Sequence, residues 1–180
     1  RPGVWADMQL TKMDMRNPSM KGYESGAATL PAGYESVETA TNNLLARCRN
    51  AIASNSTTIE SYASIFDKNS VIDYGIFSMV VRHWDGSLNN FFFGSWDGGQ
   101  KWHVYLYDAD QTWGGYSNGL YPQNAYNNVL HEYGGLWSAM YSNAVVFEDI
   151  KKRYSELRNK GIINFDWVVN RFKAYDAIGN

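Results

Sequence analysis

A chain of 180 residues, 44% hydrophobic and 16% aromatic, has the length of one domain and too much apolar character for a disordered chain. Sixteen Lys and Arg against 18 Asp and Glu leave a net charge of −2, which offers no global field for nucleic acid or an anionic membrane. One cysteine, Cys48, excludes an internal disulfide and a multi-cysteine zinc cage. No run approaches the roughly 18 apolar residues of a membrane span.

The chain opens on Arg1-Pro2-Gly3, with no signal peptide in view, and reads as a piece processed or cut from something longer. Residues 1–34 are predicted to be irregular, interrupted by Pro2, Gly3, Pro18, Gly22 and Pro31, with at most a short strand around Val4–Met13. Ser36 is the expected N-cap of a helix whose apolar stripe runs through Val37, Leu44, Leu45, Cys48 and Ile52. Thr57-x-x-Glu60 is a capping box for a shorter helix through Ser64. Asn69-Ser70 is expected to cap a buried central helix over Val71–His83, apolar almost all round.

After a loop over Trp84–Asn89, the pattern predicts a hairpin. Its strands are Asn90–Trp96 and Lys101–Tyr107, and Asp97-Gly98-Gly99 makes the turn. Residues 114–128 read as an irregular loop. Two closing helices are expected over Leu136–Leu157, with a break near Asn143, and over Phe165–Ile178, capped by Asn164. The charged run Glu148–Arg158 reads as a solvated helix face with a Glu148/Lys152 pair. Cys48 reads as core.

Two segments carry chemistry. His83-Trp84-Asp85-Gly86-Ser87-Leu88-Asn89-Asn90 places Asn90 five residues after Asp85, the H-x-D-x-x-x-x-N spacing of a protein-kinase catalytic loop. Such a loop returns on itself: its carboxylate faces an incoming hydroxyl and its amide carbonyl turns back to a metal. The same residues are also ordinary turn formers, so the spacing alone leaves a plain surface turn open. The second segment is Val104-Tyr105-Leu106-Tyr107-Asp108-Ala109-Asp110-Gln111-Thr112-Trp113-Gly114. A hairpin returns the chain to its starting edge, so Asp108 is expected near Asn90. Asn90, Asp108 and Asp110 would then offer hard oxygen ligands suited to Mg²⁺ or Mn²⁺ rather than zinc.

Competing readings fit less well. An EF-hand beginning at Asp108 would put Trp113 where glycine is needed and Gly119 where a carboxylate is needed. The D-x-D-x-T run is similar to that of haloacid-dehalogenase phosphatases, but no further strand–helix units follow it. The aromatics Trp84, Trp96, Trp102, Trp113, Tyr116 and Tyr121 would suit sugar stacking, yet a carbohydrate-binding module calls for many short strands. A non-catalytic structural or surface component also remains open.

Ile59-Glu60-Ser61-Tyr62, Asp73-Tyr74-Gly75-Ile76-Phe77, Asp85-Gly86-x-x-x-Asn90, Lys101-Trp102 and Tyr107-Asp108-x-Asp110-x-x-Trp113-Gly114 occur in one order, followed by Arg153-Tyr154-Ser155-Glu156-Leu157-Arg158. This succession, over about residues 56–178, resembles the CotH family, the spore-coat-type atypical protein kinases. The resemblance implies an ATP-dependent Ser/Thr protein kinase-like large lobe. Asp85 would be the catalytic aspartate, Asn90 and Asp108 would bind the nucleotide's Mg²⁺, and Asp110 would be a ligand or stand beside one. Tyr107 departs from the Trp often found before that aspartate. The implied partners are ATP, a protein substrate with Ser or Thr, and a small-lobe segment that residues 1–34 do not supply. The implied location is extracellular or on a spore or cell surface. The expected architecture is α+β and mostly helical, a kinase-like C-terminal lobe with one β-hairpin over residues 35–180, preceded by the irregular residues 1–34.

Overall fold

The computed structural model describes residues 4–9, 19–25, 37–53, 61–83, 86, 90–110, 112–113, 115–116, 119–120 and 140–179. Its elements in chain order are β1 (Val4–Gln9), β2 (Ser19–Ser25), α1 (Val37–Ala53), a π-helical turn (Ser61–Ile65), α2 (Lys68–Val81), β3 (Phe91–Ser95), β4 (His103–Leu106), β5 (Gly115–Tyr116), β6 (Gly119–Leu120), α3 (Ala144–Asn159) and α4 (Phe165–Gly179). The architecture is α+β and mostly helical, as expected.

The apolar stripe of α1 is buried through Ala40, Leu44, Leu45, Cys48 and Ala51. Burial pushes the Cys48 thiol up to about 12, against the opposing charges of Arg47 and Arg49, which fits a small core hydrophobe. The shorter helix expected through Ser64 is only a π-helical turn; Thr57 and Glu60 lie outside the described residues. Tertiary donors take the carbonyls of this turn. Arg47 donates to Ser64 (2.7 Å), Lys101 to Ala63, and the Trp102 N–H to Ile65 (3.0 Å).

Helix α2 starts three residues before the expected Val71, because Asp67 rather than Asn69-Ser70 is its cap. The Asp67 carboxylate accepts from the Ser70 N–H at 2.8 Å. The Ser70 hydroxyl accepts instead from the Val104 N–H (3.1 Å) and ties α2 to β4. Val71, Ile72, Tyr74, Gly75, Ile76, Ser78 and Val81 are buried, so α2 is the central helix. It ends at Arg82, whose left-handed backbone (φ 56°) turns the chain toward His83.

The expected hairpin forms between β3 and β4, with Phe91 opposite Leu106 and Phe93 opposite Val104. Its turn needs glycine: Gly98 and Gly99 have φ of 74° and 89°. Asp97 accepts from the Ser95 hydroxyl and from the Gln100 and Lys101 N–H groups. Burial would raise the Asp97 carboxyl, but these bonds outweigh it and hold the pKa below its ordinary value.

The hairpin does not stand alone. The sheet has four antiparallel strands in the order β2-β1-β3-β4, with Val4 opposite Ser95 and Ala6 opposite Phe93. The segment 1–34, expected to be irregular, therefore holds two strands. An unpaired β3 edge would leave backbone donors and acceptors unsatisfied, and β1 covers it. A short β5–β6 pair lies in the 114–128 loop. Phe66, Phe91, Phe93 and Trp102 are fully buried between the sheet and α2, with the Phe66 and Phe93 rings stacked at 5.1 Å.

The break expected near Asn143 is real. Asn143 caps α3 by accepting from the Val145 N–H (3.0 Å), and Asn164 caps α4 by accepting from the Trp167 N–H (3.0 Å). The charged face of α3 is not merely solvated. Arg153 makes a two-pronged contact with Asp73 of α2 (2.8 and 3.1 Å). Glu148 pairs with Lys151, not with the expected Lys152.

Candidate functional site

Three stretches of chain meet at the open end of the hairpin: the exit of α2, the entrance to β3 and the exit of β4. The β3–β4 ladder runs one step past its last strand pair, since the Tyr107 N–H donates to the Asn90 carbonyl at 3.3 Å. Asp108 is thus the next residue after the one bonded to Asn90. Its backbone is left-handed (φ 45°), a conformation uncommon for a residue with a side chain, though Asp tolerates it better than most. That bend takes the chain off the sheet and brings Trp113 back across α2, where its N–H donates to the Val81 carbonyl at 2.6 Å. This satisfies a carbonyl that the end of α2 leaves without a helical partner.

Asn90 is buried, whereas Asp108 and Asp110 are exposed. His83 lies against Asn90. Its Nε2 lies 3.4 Å from the Asn90 carbonyl, toward which it can only donate. Burial pushes the His83 pKa down; the Asn90 bond and the charges of Asp108 and Asp110 oppose this. The Asn90 backbone carbonyl thus faces the buried imidazole, while Asp108 and Asp110 act on it through their charge. Asp85 lies outside the described residues.

A buried floor underlies these positions. The Tyr74 hydroxyl donates to the Gly86 carbonyl at 2.5 Å, and the Gly86 N–H donates to the His83 carbonyl at 3.3 Å. Tyr74 also meets Phe91 edge-on, with ring centres 6.2 Å apart. Sequence reading missed Tyr74 and the demand on Gly86. The Asp-Gly dipeptide was the available sign, but it signals a turn and not which side chain the turn packs on.

Asn90, Asp108 and Asp110 offer an amide and two carboxylates, hard oxygen donors of the kind that Mg²⁺ or Mn²⁺ takes and zinc does not favour. Among the described residues no three His, Cys, Asp or Glu side chains cluster as a metal cage. Of the aromatics considered for sugar stacking, Trp102 is fully buried and Trp96 packs on His103 and Tyr105. Trp113 is half-exposed, and Trp84 and Tyr121 lie outside the described residues.

A family model described as CotH kinase protein matches residues 6–173. The chain belongs to the CotH kinase family. The match extends further toward the N-terminus than the motifs that first suggested it, and takes in most of β1 and all of β2. No curated protein and no solved structure matches the chain. Membership makes this a kinase-like domain, and other motif residues then have structural roles around the site. Asp73 and Arg153 clamp α2 to α3. Lys101-Trp102 anchors the start of β4 on the 61–67 segment, with the Asp67 N–H donating to the Trp102 carbonyl at 2.7 Å.

Proposed function

We propose that the chain transfers the γ-phosphoryl group of ATP to a Ser or Thr hydroxyl of a protein, as the large-lobe part of an ATP-dependent kinase. The observation that carries this reading is the backbone bond between Asn90 and Tyr107, which sets Asn90 next to Asp108 at the mouth of the hairpin. Family membership supplies the reaction class.

In this reading Asp85 orients the substrate hydroxyl and takes its proton. The hydroxyl oxygen bonds to the γ-phosphorus while the bond from that phosphorus to the β–γ bridging oxygen breaks. Asn90 and Asp108 would hold Mg²⁺, with Asp110 beside them; when bound, the ion neutralises charge on the phosphoryl oxygens. Asp108 is exposed, so a nucleotide can reach it. His83, kept neutral by burial, props the Asn90 carbonyl. Positioning carries most of such catalysis, so Asp85 needs no strongly raised pKa.

The reading includes a second segment that covers the phosphates, and a location outside the cytoplasm, on a spore or cell surface. Among the described residues no helix is long and apolar enough to cross a membrane.

Asp108→Ala in the intact protein tests the reading. Mg²⁺-dependent ATP turnover should fall by at least about a hundredfold, with the melting temperature held. Unchanged turnover would remove Asp108 from the metal site and the proposal with it.

A further inference from the structure

We propose that Tyr74 is a positioning residue that fixes Gly86, the residue after Asp85 in sequence, against α2, an inference that rests on the kinase reading above. Tyr74 sits in the middle of α2 and is 5% exposed. A buried phenol needs a partner for its hydroxyl, and here the partner lies in the loop that leaves the helix. Tyr74 donates to the Gly86 carbonyl at 2.5 Å, a bond buried from water. Its ring meets Phe91, the residue after Asn90, edge-on. One rigid side chain on the central helix therefore touches the neighbours of both loop residues assigned to chemistry: Gly86 adjoins Asp85, and Phe91 adjoins Asn90. His83 closes the same floor, with its backbone bonded to Gly86 and its ring facing the Asn90 carbonyl.

The fit leaves no slack. A Cβ on Gly86 would lie 2.0 Å from His83 Cδ2 and 2.7 Å from the Tyr74 hydroxyl. The glycine is thus required for close approach to two buried rings. Tyr74 binds neither nucleotide nor metal in this scheme. It acts through the Gly86 carbonyl, so its removal should weaken the proton-accepting end of the loop before the metal-holding end.

Tyr74→Phe separates the two ends, because it deletes the hydroxyl and keeps the ring on Phe91. In the intact protein kcat should fall about fivefold to tenfold, the scale of one buried hydrogen bond. KM for ATP should stay within about twofold, and the melting temperature should fall by only a few degrees, the cost of one buried hydrogen bond. Amide exchange in a peptide spanning residues 84–90 should quicken. A Tyr74 that only fills the core would leave kcat per folded molecule unchanged. That result, or unchanged exchange in the loop, overturns the proposal. If Tyr74→Phe does not fold, the wild-type protein decides the matter: the Gly86 amide should exchange as slowly as the buried amides of α2, and exchange at the rate of an unprotected loop overturns the proposal. Asp85→Asn is the control for the kinase reading itself. If that variant transfers phosphate at the wild-type rate, the reading fails and Tyr74 is judged on loop exchange alone.

Discussion

His83 shows how one buried side chain joins stability to the site. The Asn90 carbonyl and the charges of Asp108 and Asp110 favour its protonated form, yet burial outweighs them and the folded pKa lies below histidine's ordinary 6.5. Between the folded value and about 6.5, the unfolded chain holds a proton that the folded chain does not. Stability is therefore complete above that range and declines as pH falls through it. Urea midpoints measured from pH 7.5 down to 5.5 should drop in the wild type and drop less in His83→Gln. Parallel curves would show that His83 is not the group responsible. Residues of this kind were only half legible. The spacing of Asp85, Asn90, Asp108 and Asp110 is written locally, in two short segments. The floor beneath them depends on which helix the loop packs against, and no local pattern states that.

At the scale of elements, α2 is held from both sides. Ser70 ties its first turn to β4, and Tyr141 donates to the Val71 carbonyl at 2.9 Å while its ring packs close over Gly75. Arg153 on α3 grips Asp73 with two bonds. That pair is 36% and 47% exposed, so water and salt screen it. A double-mutant cycle of Asp73→Ala and Arg153→Ala should give a coupling of about 0.5–1 kcal/mol, smaller at high salt. A coupling near zero would leave the contact as geometry without energetic weight.

The elements read correctly from sequence are those with local causes. The helical stripe of α1, the Asp-Gly-Gly turn, the break near Asn143 and the Asn164 cap each lie within a few residues of what they determine. The misreadings have long-range causes. Val104 recruits Ser70 and leaves the capping to Asp67, and β2, which reads as loop in the sequence alone, forms because β1 offers it an edge. Gly22, read as a break, lies inside β2 opposite Asp7, because a glycine is silent about a strand that a partner completes.

Across the whole molecule, the sheet and the central helix converge on one end of the hairpin. β1 and β2 extend the sheet beside β3 and β4, Tyr74 of α2 and His83 just past its end supply the floor, and Trp113 pins the exit loop back onto the end of α2. The kinase reading depends on those parts holding a shared cation between Asn90 and Asp108. Mn²⁺, titrated with ATP into the isotopically labelled intact protein, tests this directly by paramagnetic broadening. The Asn90 side-chain amide and the Asp108 backbone amide should broaden together at low Mn²⁺, and Asp108→Asn should abolish the effect. Broadening of one without the other, or equal broadening in the variant, would contradict a common ion and remove the basis for phosphoryl transfer at this site.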